Sequence, residues 1–229
     1  MTKPYRADLV GSFLRPAELK QAHVDFLAGK LSNAREVEIQ HAAIKDLVEK
    51  EVAAGFKAVT DGEFSRQYWH LDFLWGLKGI DKLVRADYDR NFVGNIAPAD
   101  NVILTGKVAA NDTHPFYDAF EYLKSVAPDG TEPKFTIPSP GLLFRDHRSD
   151  HWADFYDSFE DYKQAVTKAY ADTIKHFYDL GLRYLQIDDT NWAYLIDNLK
   201  KTEGDVEAQK PFVELAETAH DIIKAVLKQ

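Results

Sequence analysis

Residues 55–63 read GFKAVTDGE and residues 181–189 read GLRYLQIDD. Each stretch opens on a glycine, runs through a short β-prone segment (56–60 and 184–187) and closes on acids, Asp61 and Glu63 in one case, Asp188 and Asp189 in the other. What precedes each glycine is helical. Val37, Ile44, Leu47 and Val48 fall on one face of a helix over about 34–54, with Asn33 and Glu36 spaced as a capping box. The Asp46, Glu49, Lys50 and Glu51 charges read as its solvated face. Before Gly181, the residues Tyr162, Val166, Ala169, Thr173 and Phe177 repeat at helical spacing, and Gly181 supplies a left-handed C-terminal cap. Helix, glycine, strand and acid, used twice, is the grammar of a parallel sheet with crossover helices.

Working outward, two more strands are expected, over 7–10 before Gly11 and Ser12 and over 134–137 before Pro138, Ser139 and Pro140. A last helix over about 210–228 carries Phe212, Leu215, Ala216, Ala219, Ile222, Ile223, Val226 and Leu227 on one stripe. An irregular insertion over about 66–113 contains one arm of a hairpin at 101–110, and a short helix follows near 115–126. The expected architecture is α/β, of the (βα)8 TIM-barrel type, as a single partial domain over 1–229. It has four βα units where a closed barrel needs eight, about half a barrel. Four units leave open edges and apolar inward faces without partners, so self-association or a complementary half-barrel chain is expected.

Composition limits the functions to consider. The 229 residues carry 28 Lys and Arg against 37 Asp and Glu, a net charge of −9, with 45% hydrophobic residues and no cysteine. Soluble globular character follows, with the cytoplasm as the expected location and no spanning segment or signal-peptide core. An acidic balance argues against tracking nucleic-acid phosphates. Without cysteine there is no disulfide, no thiol nucleophile and no thiolate ligand for zinc in this chain. No glycine pattern for nucleotide phosphates is present.

Chemistry is expected at the strand ends: Gly11-Ser12, Asp61-Gly62-Glu63, Ser139-Pro140-Gly141 and Asp188-Asp189. Four carboxylates call for a cationic group, a metal ion or acid–base work, while the Gly11 and Ser12 N–H groups suit an anion such as a carboxylate. An amino acid satisfies both halves. The competing reading makes the same residues helix caps and turns. His147 and His151 have metal-ligand spacing but no third ligand, so a solvated loop is the simpler reading. Trp69, Trp75, Trp152 and Trp192 read as core or interface residues before they read as platforms for a flat ligand.

Four ordered segments, DLVGSFLRP (8–16), VTDGEFSR (59–66), FTIPSPGLLF (135–144) and LQIDDTNW (185–192), resemble the catalytic C-terminal barrel of cobalamin-independent methionine synthases and their single-barrel relatives, over nearly the whole chain. The resemblance implies methyl transfer to the sulfur of homocysteine, activated as a zinc thiolate. It implies that the Gly11-Ser12 backbone holds the substrate carboxylate and that Glu63 and Asp188 bind its ammonium, with homocysteine or methionine as ligand. The family's zinc ligands, a His-x-Cys pair, a Glu and a second Cys, follow the LQID segment by about forty residues and have no counterpart here. On that ground the chain is expected to be an N-terminal half, inactive alone. The methyl donor implied is a methyl-folate, for which the family uses a Trp after the third strand; here Phe144 or Trp152 is the candidate contact. The rival readings are a non-catalytic amino-acid-binding half-barrel, one subunit of a split methyltransferase, and the distantly related uroporphyrinogen decarboxylase barrels, which the TDGE and IDD pair fits less well.

Overall fold

The computed structural model of the chain describes residues 7–84 and 100–228. In chain order its elements are α1 (Ala17–Leu27), α2 (Asn33–Ala53), β1 (Ala58–Val59), α3 (Leu71–Gly76), β2 (Lys78–Val84), β3 (Asp100–Ala109), α4 (Pro115–Val126), β4 (Glu132–Pro138), α5 (Phe159–Asp179), β5 (Tyr184–Asp188), α6 (Asn191–Lys201) and α7 (Val206–Val226), with 3₁₀ turns at Pro140–Phe144 and Trp152–Asp154. None of these helices is long and apolar enough to cross a membrane. Residues 85–99 of the expected insertion lie outside the described residues.

The described residues form two compact units. The first holds the residues up to Trp69, Pro115–Ile137 and Phe177–Gln186. Its sheet has the order β1-β4-β5, with β1 parallel to β4 through Ala58 opposite Glu132 and Val59 opposite Pro133. Alternation along β4 sends Phe135 and Ile137 to one face, and both are fully buried. There Phe135 meets Phe116, Phe120 and Phe177 at centroid separations of 5.9, 5.8 and 5.6 Å, an aromatic core shared by sheet, α4 and the last turn of α5. The opposite face of β4 carries Lys134 and Thr136, so the expectation of wholly apolar inward strands is corrected here: this polar face is hydrogen-bonded, not bare.

Helix α2 ends as its sequence dictates. The Phe56 N–H bonds to the Glu51 carbonyl at 3.1 Å and the Gly55 N–H to the Val52 carbonyl at 2.9 Å, the paired bonds of a Schellman motif. Its start differs from expectation by one residue. Ser32 is the cap, its Oγ accepting the Arg35 N–H at 3.3 Å. Asn33 is already helical. Helix α1 lies outside the sequence-based expectation because only Leu19 and Ala22 of its eleven residues are buried, too sparse a stripe to read as a period.

Residues 7–10 are not a strand. Their carbonyls are met by side chains instead of a neighbouring backbone: the Lys134 ammonium donates to Leu9 O and the Gln186 amide to Val10 O at 2.7 Å. The same Lys134 ammonium pairs with Asp8 at 2.8 Å, and the Tyr184 hydroxyl donates to Asp8 at 2.6 Å. Three side chains rising from β4 and β5 thus do the work of a ladder.

The second unit holds the described residues of 70–114, Pro138–His176 and those from Ile187 onward. β2 and β3 pair antiparallel, with Ile80 opposite Leu104 and Val84 opposite Asp100, and the expected hairpin arm is β3. Against the pair sits α3, whose Gly76 leaves room for His114: a Cβ there would lie 2.4 Å from the imidazole. Helix α7 packs on the 3₁₀ turn that follows β4, where Gly141 faces Ala219. Of its expected stripe only Ala219, Ile222 and Val226 are buried, and it starts at Val206, capped by Asp205, whose carboxylate accepts the Ala208 N–H at 3.0 Å.

Candidate functional site

The Thr60-Asp61-Gly62-Glu63 turn follows β1, and its conformation is over-determined. Gly62 and Glu63 both have positive φ, 62° and 59°. Gly62 is required, because a Cβ there would sit 2.4 Å from Leu47 Cδ2. Glu63, a residue with a side chain in the left-handed region, costs of order 1 kcal/mol and is held there by its surroundings. Its N–H donates to Asp61 Oδ1 at 2.9 Å. Its carbonyl and that of Arg66 both accept from Arg15 Nη2, at 3.0 and 2.6 Å, while the Phe13 N–H donates to the Gly62 carbonyl at 3.1 Å. The arm carrying Ser12 is thereby fastened to the turn.

That geometry delivers the Glu63 carboxylate into a buried polar nest, 4% exposed. Ser12 Oγ donates to Oε2. Thr136 Oγ1, from the polar face of β4, donates to Oε1 at 3.1 Å, and Arg66 Nη1 stands 3.6 Å from the same oxygen. Arg66, itself 3% exposed, lies over the Phe116 and Phe135 rings at 4.4 and 5.0 Å. Asp61 is likewise buried, and its Oδ2 has no hydrogen-bond partner among the described residues, nor has Arg66 Nε. Burial pushes the Asp61 carboxyl up, with the Glu63 charge adding to it and Arg66 opposing.

Glu51 corrects an expectation. It is buried, not on the solvated face of α2, and its two oxygens accept the Thr60 N–H at 2.8 Å and the Thr60 hydroxyl at 3.0 Å. Burial, with a smaller contribution from the Asp61 charge, pushes its carboxyl up to about 7. Three carboxyl groups therefore share one buried region with Arg66, and burial pushes two of them, Glu51 and Asp61, toward their neutral forms.

Of the residues named from sequence, Ser12 and Glu63 are brought together in the first unit, and Gly11 precedes Ser12 on the same arm. Asp188 belongs to the second unit, where its carbonyl accepts the Ser139 N–H at 2.8 Å. Ser139 Oγ accepts the Gly141 N–H at 3.2 Å, and Asp189 Oδ1 the Asn191 N–H at 3.1 Å, so both also serve as turn and helix-start residues. Phe144 and Trp152 share Phe159 as a neighbour, with ring centroids 5.8 and 5.5 Å from it. His147 pairs with Asp150 at 3.0 Å and His151 with Asp154 at 3.2 Å, each within its own exposed turn. Among the described residues no three His, Asp or Glu side chains gather as a metal site.

The second unit also contains a basic knot. Arg148 Nε donates to Asn101 at 2.9 Å and Nη1 to the Leu142 carbonyl at 2.8 Å, while Nη2 stands 3.3 Å from Asp146. Burial, then the Arg148 and Arg145 charges, push the His70 imidazole down to about 3, so it is neutral.

The chain is a mixed α/β protein, similar in structure to B12-independent methionine synthases. A Listeria monocytogenes protein provisionally described as a vitamin-B12-independent methionine synthase is 33% identical, with a TM-score of 0.76 over 100% of this chain and 63% of that one. The B12-independent methionine synthase of Shewanella sp. W3-18-1, solved with selenomethionine, shares the fold at 18% identity and a TM-score of 0.52, over 76% of this chain and 51% of that one. In sequence, the uncharacterized Bacillus subtilis (strain 168) proteins YxjH and YxjG are 38% and 37% identical over 195 and 203 residues. Those alignments take in 85% and 88% of this chain but 50% and 53% of the relatives, so the chain spans about half the length of the curated proteins it matches. No family model matches it.

Proposed function

We propose that this chain carries the amino-acid-binding part of a methionine-synthase-like site, resembling that of 5-methyltetrahydropteroyltriglutamate–homocysteine S-methyltransferases, and that its ligand is homocysteine or methionine. The observation that carries the reading is the Glu63 carboxylate, buried and oriented by Ser12 and Thr136. An ammonium group is the guest that such a fixed acceptor suits. Glu63 takes the ammonium, and the Gly11-Ser12 backbone takes the carboxylate. The 33% identity to the Listeria protein supports the same class of ligand.

The zinc ion implied by the resemblance does not fit these residues. The chain has no cysteine, and its two closely spaced histidines are each paired with an aspartate in an exposed turn. In this reading the chain alone binds the amino acid without turning it over. The methyl donor is a methyl-folate in this reading, with Phe144 and Trp152 as its aromatic contacts.

Titration calorimetry with L-homocysteine and L-methionine tests the assignment. Glu63→Gln should weaken binding by about 1.5–3 kcal/mol, the scale of a hydrogen bond to a charged group. Equal affinity in the Glu63→Gln protein would remove Glu63 from the site.

A further inference from the structure

Thr136 has one hydroxyl proton and two lone pairs, and its neighbours decide how they are used. Arg66 Nη1 donates to Thr136 Oγ1 at 3.0 Å, and Nη2 donates to the Thr136 carbonyl at 2.9 Å. A guanidinium only donates, so the hydroxyl must accept from Arg66, and its own proton is left for Glu63 Oε1, 3.1 Å away. The order Arg66 N–H to Thr136 O–H to Glu63 carboxylate is therefore one-directional. Ser12 closes the other carboxylate oxygen in the same sense, as a donor.

Burying a guanidinium to hold a turn to a strand is costly, and a neutral side chain would do so with less desolvation. The arginine here does more than bridge. Its guanidinium carbon stands 4.4 and 5.0 Å from the Phe116 and Phe135 ring centroids, and its two terminal nitrogens are spent on the hydroxyl and the carbonyl of one residue, which fixes the fork and with it the Thr136 hydroxyl. We propose that Arg66 and Thr136 are positioning residues that set Glu63 as a pure acceptor of fixed orientation, and that this couple makes the site select amino acids over their 2-hydroxy analogues. An ammonium brings protons to every direction it faces, whereas a hydroxyl has a single proton and also presents lone pairs to a carboxylate. The inference rests on the reading of Glu63 as the ammonium ligand and adds the source of its selectivity.

The test compares affinities of the full chain for L-methionine and for 2-hydroxy-4-(methylthio)butanoate, by calorimetry, in the unmodified protein and in Thr136→Val, Thr136→Ser, Arg66→Met and Glu63→Gln. Circular dichroism and thermal melting establish folding for each. The unmodified protein should prefer methionine. Thr136→Val, which keeps the shape and removes the hydroxyl, should lose about tenfold in methionine affinity and most of the preference, the scale of one hydrogen bond to a charged acceptor. Thr136→Ser should restore both within about twofold. In a Glu63→Gln background Thr136→Val should cost nothing further, because coupled residues do not add. A merely structural role would lower affinity for both ligands alike and leave the ratio unchanged. If Glu63→Gln abolishes the preference while Thr136→Val and a folded Arg66→Met keep it, the positioning couple is refuted and the ammonium reading stands. If the unmodified protein binds no methionine, or Glu63→Gln leaves binding unaltered, the reading fails and takes the inference with it.

Discussion

A single buried carboxyl, Glu51, makes the stability of the fold depend on pH in an unusual sense. Its folded value of about 7 lies above the ordinary glutamate value, so the folded chain binds more protons than the unfolded chain between about 4.5 and 7. Stability from this group is present at low pH and declines as the pH rises through that window. Glu51→Gln should therefore raise the melting temperature at pH 8 and leave it nearly unchanged at pH 5, read from melting curves across the range. Parallel profiles for the two proteins would show that Glu51 ionises without penalty. None of this was legible in sequence, where Glu51 sat among Asp46, Glu49 and Lys50 as one more surface charge. Its partner is Thr60, nine residues on, and no helical spacing points there. Glu63 and Ser12 were legible because a strand end singles them out. Arg66 and Thr136 lay inside the segments VTDGEFSR and FTIPSPGLLF, and period two along β4 already sets Thr136 opposite Phe135 and Ile137; what sequence lacked was the return of Arg66 beneath its own turn.

At the scale of elements, strong periods were readable and weak ones were not. α2, α4, α5, β3, β4 and β5 stand close to their expected places because glycine ends, β-prone runs and apolar spacing agree. α1 and α6 were not readable. α6 buries only Asn191 and Leu195 of its eleven residues, and its first turn belongs to a polar cluster that drew attention as a site. The start of α2 is a sharper case, since Ser32 and Asn33 are both good caps and only geometry chooses. Ser32→Ala should cost about 1 kcal/mol in urea unfolding and Asn33→Ala much less. The reverse order would return the cap to Asn33.

For the whole molecule, the α/β class followed from alternating helices and strands, but the count of four strands did not survive. Residues 7–10 have the composition of a strand and are held by side chains, a distinction that only long-range partners make. Association remains our expectation. Trp192, Tyr194 and Ile196 of α6 and Val206 and Val213 of α7 are exposed on two helices that contact each other, apolar surface that a partner would cover. Sedimentation equilibrium at micromolar concentration should give a mass above that of one chain, through an interface larger than about 1,000 Å². A single species of one-chain mass would end that expectation.

The fastening of residues 8–10 by Lys134, Tyr184 and Gln186 has a kinetic meaning. A strand inside a ladder leaves only when the sheet frays, whereas an arm held by side chains at residues 8–10, and to the turn after β1 by Ser12, Phe13 and Arg15, can lift off while the sheet stays whole. Because Ser12 lies on that arm, entry to Glu63 need not wait for unfolding. Deuterium should reach the amides of residues 8–12 well before those of 134–137, and Lys134→Met should hasten the first set without touching the second. Simultaneous exchange of both would mean that arm and sheet open as one.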